Sequence, residues 1–168
     1  KLIPLSVFFN VTDRCNLRCE YCYLSFGSRS CRKELELEQI KGLVDNLVSY
    51  GTRRLSLTGG EPLVRDDIGD IIKYARDKNM ILSLTTNGLL IEKKINELLL
   101  LDNISISFDG FKESATGPRG INPKCIEKSI GLACKHFPSV QISATMHKGN
   151  VDEVEDLIAF SKRNGCAI

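Results

Sequence analysis

Two hydropathy rhythms alternate along this chain. In short runs apolar and polar residues take turns, and between them lie longer stretches where apolar residues recur every three or four positions. The short runs predict strands over Leu5–Val11, Arg54–Thr58, Ile81–Thr86, Ile104–Phe108 and Val140–Met146, with a sixth beginning near Cys166. The longer stretches predict helices. Leu37, Ile40, Val44, Leu47 and Val48 share one face, and Gly51 is placed to end that helix. Ile68, Ile71, Ile72 and Ala75 repeat the pattern behind the acidic start Asp66–Asp67, and Ile91, Ile95, Leu98 and Leu99 form a third helix. Asn122 followed by Pro123 opens a fourth, through Ile126 and Ile130. Asn150 with Glu153 resembles a capping box for a fifth, which Gly165 closes. Strand and helix in strict turn are the rhythm of parallel βα units, so the chain is expected to be one α/β domain over residues 1–168.

The strands carry a second message. Parallel strands covered on both faces usually run continuously apolar. Here Leu55 and Leu57 interleave with Ser56 and Thr58, and Ile104, Ile106 and Phe108 with Ser105, Ser107 and Asp109. Val140, Ile142 and Ala144 likewise interleave with Gln141, Ser143 and Thr145. One face can pack on helices while the other lines something polar, as in a barrel lumen that accepts a hydrophilic ligand. A sheet with one wet side is the alternative.

Composition narrows the function. A content of 42% apolar and 26% charged residues is ordinary for a globular domain. The net charge of +2 and its scattered basic residues argue against a nucleic-acid partner. No apolar run approaches the roughly 20 residues of a membrane span, and no signal peptide is visible, so a cytoplasmic protein is expected. Lys1 is not an initiator Met, which suggests a cut at this end.

Chemistry-bearing residues gather just after the strands, at the edge where α/β barrels build their active sites. Thr12–Cys22 follows the first strand, Gly59–Pro62 the second, Asn87–Gly88 the third and Asp109–Gly110 the fourth. Seven cysteines is a high count, and three fall together as Cys15-Asn-Leu-Arg-Cys19-Glu-Tyr-Cys22. That clustering speaks for metal rather than a disulfide framework. Three thiolates at such spacing suit an iron–sulfur cluster with one iron left open. Zinc, completed by a fourth ligand such as Cys31, is the rival, and unligated loop thiols are the third reading. Cys125, Cys134 and Cys166 read as small apolar residues.

The spacing CxxxCxxC, with Tyr21 before the third Cys and Thr12-Asp13-Arg14 ahead of the first, resembles the signature of the radical S-adenosylmethionine (SAM) superfamily. Thr58-Gly59-Gly60-Glu61-Pro62 is similar to that family's GGEP motif. Thr85-Thr86-Asn87-Gly88 and Ser107-Phe108-Asp109-Gly110 resemble its third- and fourth-strand motifs. The resemblance implies a partial parallel (β/α) barrel of the six-stranded open type, truncated near its sixth strand. It implies a 4Fe–4S cluster on Cys15, Cys19 and Cys22 whose open iron binds SAM through amino and carboxylate groups. One electron would cleave SAM to a 5′-deoxyadenosyl radical that abstracts hydrogen from a substrate. Gly59 and Gly60 would let backbone approach SAM, with Glu61 helping to receive its ammonium. Tyr21 would contact the adenine side, and Ser107 the ribose or carboxylate. Thr86 and Asn87 would face SAM or substrate, and Arg119 would pair with a carboxylate or lie on the surface. His136 and His147 read as solvent-facing. No glycine-rich adenine pattern precedes Asn150, and a closed four-Cys site including Cys31 would block SAM.

The motif style is that of the branch that matures peptides or builds cofactors. It implies a small-molecule or peptide substrate and an electron donor such as flavodoxin or ferredoxin. A non-catalytic iron–sulfur or zinc module, or a SAM or redox sensor, is the alternative, against which the intact GGEP motif argues.

Overall fold

A computed structural model describes residues 4–24 and 33–168. Its frame is one parallel sheet of β1 (Ser6–Thr12), β2 (Arg54–Gly59), β3 (Ile81–Thr86), β4 (Asn103–Ser107) and β5 (Val140–Ser143), ordered as in the sequence. Between them run α1 (Leu37–Ser49), α2 (Ile68–Asp77), α3 (Ile91–Leu98), the single turn α4 (Glu113–Thr116) and α5 (Pro123–His136). After β5 comes α6 (Val154–Asn164). Sequential order with every pair parallel is the winding of a (β/α) barrel, and the chain forms part of one.

Local chemistry explains the helix ends. The Gln39 side chain accepts from the Glu36 N–H at 3.0 Å ahead of α1, and the Asn122 side chain accepts from the Lys124 N–H at 3.0 Å at the start of α5. Leu55, Leu57, Leu82, Leu84, Ile104 and Ile106 are wholly buried under the helices, against Ile40, Ile71, Ile91 and Ile130 among others. Burying each such side chain contributes about 1.5–3 kcal/mol. A one-residue slip in register would exchange them for Ser and Thr, so the register is strongly fixed. The other face is the hydroxyl-rich one. Ser56 pairs with Ser83, Thr85 with Ser105 and Ser107 with Ser143 across the ladder, and the Ser56 and Ser83 hydroxyls meet at 2.7 Å.

Three details differ from the sequence expectation. β5 stops at Ser143 instead of Met146, and two residues on the Thr145 N–H donates to the Asp109 carboxylate at 2.9 Å, out of the ladder. Asn150 and Glu153 form no capping box. The Asn150 amide donates to the carbonyls of Asp109 and Thr145, both at 2.9 Å, while Glu153 accepts from the Phe111 N–H at 2.7 Å. Both side chains tie the loop after β4 to the 3₁₀ turn Val151–Glu153 that precedes α6. Finally, α4 and the 3₁₀ turn Gly117–Arg119 were not expected, being too short to show a period. Where a sixth strand was expected, Ala167 forms a single parallel bridge with Gln141. The Ile142 N–H donates to the Ala167 carbonyl at 2.8 Å, and the Ala167 N–H to the Val140 carbonyl at 2.9 Å.

Candidate active site

All four motif loops meet at the C-terminal edge of the sheet, around a cavity of about 270 Å³. Cys15, Cys19 and Cys22 line it from the first loop, Gly59 and Gly60 from the second, and Thr86 and Asn87 from the third. Ser107, Ser143, Thr145 and Arg119 complete the far side. Of the residues expected at the site, Tyr21 is there too, while Glu61 is not on the lining. Cys31 lies outside the described residues.

The glycines have a reason that the sequence did not show. Gly59 sits at φ +141°, and a Cβ there would stand 2.3 Å from the Thr12 carbonyl oxygen. A Cβ on Gly60 would stand 2.3 Å from that of Arg14. The two glycines let the second loop lie directly on the cysteine loop. The Gly60 N–H donates to the Thr12 carbonyl and the Glu61 N–H to the Arg14 carbonyl, both at 2.8 Å. They serve the cysteine loop as well as any ligand beyond it.

Glu61 points inward. It is fully buried, and its carboxylate accepts from the Leu63 N–H at 3.0 Å, the Thr86 hydroxyl at 2.8 Å and the Asn87 N–H at 2.7 Å. Burial pushes its pKa up, and these three donors oppose that shift. The side chain binds the second loop to the third instead of reaching for an ammonium group in the cavity. Asn87, so held, donates from its own amide to the Asn16 side chain at 2.8 Å and steadies the cysteine loop.

The stems of the cysteine loop are clamped by Arg65, whose side chain is 5% exposed. It donates to the Val11 carbonyl at 2.8 Å before the loop and to the Leu35 carbonyl at 3.1 Å after it. Asp67 holds the guanidinium with two bonds, at 2.8 and 2.7 Å. Glu34 accepts from the Thr12 hydroxyl and from Arg14 Nε, the latter at 3.1 Å.

Within the loop, the Leu17 N–H points at the Cys15 sulfur at 3.4 Å, and the Cys22 N–H donates to the Cys19 carbonyl at 3.2 Å. Burial raises the Cys19 thiol pKa, the Arg119 cation opposes it, and the charges of Cys15 and Cys22 raise it further. Cysteines must lose their protons to bind iron, so metal binding here would have to overcome that upward shift. Among the described residues, no three His, Cys, Asp or Glu side chains stand close enough for a single metal ion. Three cysteine thiols on the wall of one cavity are the donor set that a 4Fe–4S cluster would take.

Asp109, the acid of the fourth loop, is fully buried and gathers the far side of the site. It accepts from the Tyr21 hydroxyl, from Arg119 at 2.5 and 3.0 Å and from the Thr145 N–H at 2.9 Å. Burial and then the bond to Asp109 push the Tyr21 pKa up, so the phenol keeps its proton and donates it. The Arg119 guanidinium lies 5.3 Å from the Tyr21 ring centroid. Nearby, the Glu20 N–H donates to the Pro118 carbonyl at 2.8 Å. His147 is half-buried, 6.2 Å from the Tyr21 ring, with Nε2 at 3.2 Å from the Ala115 carbonyl oxygen. His136 is exposed. The sequence alone leaves the carboxylate partner of Arg119 open and marks no role for the Asp109 side chain or Arg65. The only signal for Asp109 was its place in a motif.

A parallel part-barrel with three thiols facing a glycine-lined, hydroxyl-rich cavity defines a cluster-binding α/β enzyme class. The profile of the radical SAM superfamily matches residues 9–161, and the chain belongs to that superfamily, whose members use a 4Fe–4S cluster and SAM. The chain is 36% identical over 153 residues to the Fe-coproporphyrin III synthase of Methanosarcina barkeri, covering 88% of this chain and 38% of that protein. It is 35% identical over 166 residues to the GTP 3′,8-cyclase of Lactiplantibacillus plantarum, covering 93% of this chain and 50% of that one. The chain therefore spans about half or less of the length of these relatives. In fold it is similar to Streptococcus suis SuiB bound to its precursor peptide SuiA, with a TM-score of 0.87 at 19% identity over 98% of this chain and 38% of that one. It also resembles anSMEcpe with bound AdoMet, with a TM-score of 0.79 at 22% identity over 96% of this chain and 49% of that one.

Proposed function

We propose that Cys15, Cys19 and Cys22 hold the 4Fe–4S cluster and that the whole protein uses it for radical chemistry in cofactor biosynthesis or peptide maturation. The observation that carries the reading is the meeting of the three thiols with the Gly59–Gly60 backbone and Ser107 around one cavity. When bound, the cluster supplies one electron that splits SAM into methionine and a 5′-deoxyadenosyl radical, which takes a hydrogen atom from the substrate.

The chain's own residues prepare that step. Gly59 and Gly60 present carbonyls to the methionine ammonium, and Ser107 offers a hydroxyl to the ribose or carboxylate. Tyr21 places its ring on the adenine side, with its hydroxyl anchored on Asp109. Glu61 acts one layer behind, holding Thr86 and Asn87 in place. The hydroxyl-rich strand face forms one wall of the substrate space.

The substrate class follows the relatives, which include a porphyrin-forming synthase and a nucleotide cyclase, and a neighbour in fold that binds a precursor peptide. A small-molecule or peptide substrate and a flavodoxin- or ferredoxin-type donor fit this reading. Among the described residues no helix is long and apolar enough to cross a membrane, and a cytoplasmic setting is part of the proposal. The test is anaerobic incubation of the intact protein with SAM and dithionite, followed by chromatography for 5′-deoxyadenosine and methionine. Both products should form in equal amounts and should be absent in a Cys19→Ala variant. A protein that binds iron yet releases neither product would be a binding module or sensor instead.

A further inference from the structure

Among the described residues lining the cavity, Arg119 carries the only charged side chain. It has no part in the chemistry described above. Its side chain is 11% exposed and that of its partner Asp109 is 0% exposed, so solvent screens neither well. Both are fixed. Two hydrogen bonds hold the guanidinium to Asp109, the Tyr21 ring lies beside it, and the Thr145 N–H holds the carboxylate from behind.

The pair is also oriented. Arg119 shares the cavity wall with Cys15, Cys19 and Cys22, whereas Asp109 is fully buried and set back from the wall. An ion pair so placed has its positive member on the wall of the cavity that the three cysteines line. Reducing a cluster held there adds one negative charge near that positive member. A fixed cation in a poorly screened site stabilises the reduced form more than the oxidised form. The carboxylate behind it works in the opposite direction, from further away.

We propose that the Arg119–Asp109 pair tunes the reduction potential of the cluster bound by Cys15, Cys19 and Cys22, with Arg119 raising the potential and Asp109 lowering it. The inference rests on the ligand assignment above and adds to it a role for two residues that the assignment does not use. A mere clip for the cysteine loop has no sign. If Arg119 and Asp109 only held the loop in place, breaking the pair from either end would perturb the cluster in the same way.

The experiment is a redox titration of the anaerobically reconstituted, intact protein, followed by electron paramagnetic resonance (EPR) of the reduced cluster, with iron counted in each sample. Arg119→Gln should lower the midpoint, with a change on the order of tenfold in the reduced-to-oxidised ratio at a fixed potential, about 59 mV for one electron. Arg119→Lys should stay near the unsubstituted protein, because it keeps the charge. Asp109→Asn should raise the midpoint, because it leaves the cation unopposed. Opposite shifts with iron retained support the inference. Shifts of one sign, no shift in either, or loss of iron from both charge variants overturn it. If iron survives in Cys15→Ala, Cys19→Ala and Cys22→Ala, the ligand assignment falls and this inference with it. If those variants lose iron while the charge variants fail to diverge, the inference falls alone.

Discussion

Replacing Glu61 by Gln separates a carboxylate that binds a ligand from one that binds its own protein. The two oxygens of Glu61 take three donors, the N–H groups of Leu63 and Asn87 and the Thr86 hydroxyl, in a fully buried setting. Gln keeps one oxygen and turns an NH₂ toward the other position. With its oxygen facing Leu63 and Thr86, its NH₂ meets the Asn87 N–H, donor against donor. A buried donor left without an acceptor costs about 1–3 kcal/mol, and a lost bond to a charged group about 1.5–3 kcal/mol. Against this, burial already disfavours the ionised carboxyl, so a neutral side chain recovers part of the loss. The net expectation is about 1–3 kcal/mol of destabilisation, which in a domain of this size lowers Tm by roughly 2–12 °C. The assay is thermal unfolding of the intact protein beside SAM binding by calorimetry. Affinity should fall only as far as the loop of Thr86 and Asn87 loosens. An unchanged Tm with a tenfold or greater loss of SAM affinity would place the carboxylate at the ligand and refute the reasoning from burial.

Gly60→Ala is expected to lose iron as well as SAM affinity, because the added Cβ would meet the backbone of Arg14 inside the cysteine loop; iron analysis after reconstitution checks this, and full iron content would contradict it. Asp67→Asn tests the Arg65 clamp through pH. The bonds from Arg65 hold the Asp67 carboxyl below its ordinary range, so their contribution is present above about pH 4 and is lost as pH falls through the lowered value. The variant should therefore melt lower than the unsubstituted protein at pH 7, and the difference should shrink below about pH 4 in melts followed by circular dichroism.

Much of this architecture is legible in the sequence because its signals are periodic or clustered. The alternation of Leu55 and Leu57 with Ser56 and Thr58 gives both the strand and its two faces, since a buried Leu and a lumen-facing Ser differ in what surrounds them. The Asn122–Pro123 start of α5 is equally plain, as the cap and the proline act within one turn. Residues whose partners lie far along the chain were hidden. Glu61 reads as part of a ligand motif, yet its partners Thr86 and Asn87 are 25 and 26 residues away. Arg65 bonds the Val11 carbonyl across 54 residues, and nothing near Arg65 announces a backbone acceptor. Asn150 and Glu153 misled because the same side chains that cap a helix can bind any nearby backbone group. Here Asp109 and Phe111 are the nearer partners. Gly59 and Gly60 read as positions where backbone approaches a ligand, and in the structure they lie against the backbone of Thr12 and Arg14. Those partners lie more than 40 residues away along the chain, so no local pattern announces them.

Everything proposed for this site depends on three cysteines of one loop holding a four-iron cluster with a position open to SAM. EPR of the reduced, reconstituted protein, recorded with and without SAM, tests it most directly, with iron and sulfide counted in the same samples. The expected result is about four irons and four sulfides per chain, a reduced-cluster signal that changes when SAM is added, and its loss in Cys15→Ala, Cys19→Ala and Cys22→Ala but not in Cys31→Ala. A signal indifferent to SAM, or iron that needs Cys31 as a fourth ligand, would mean a closed site and would contradict the account.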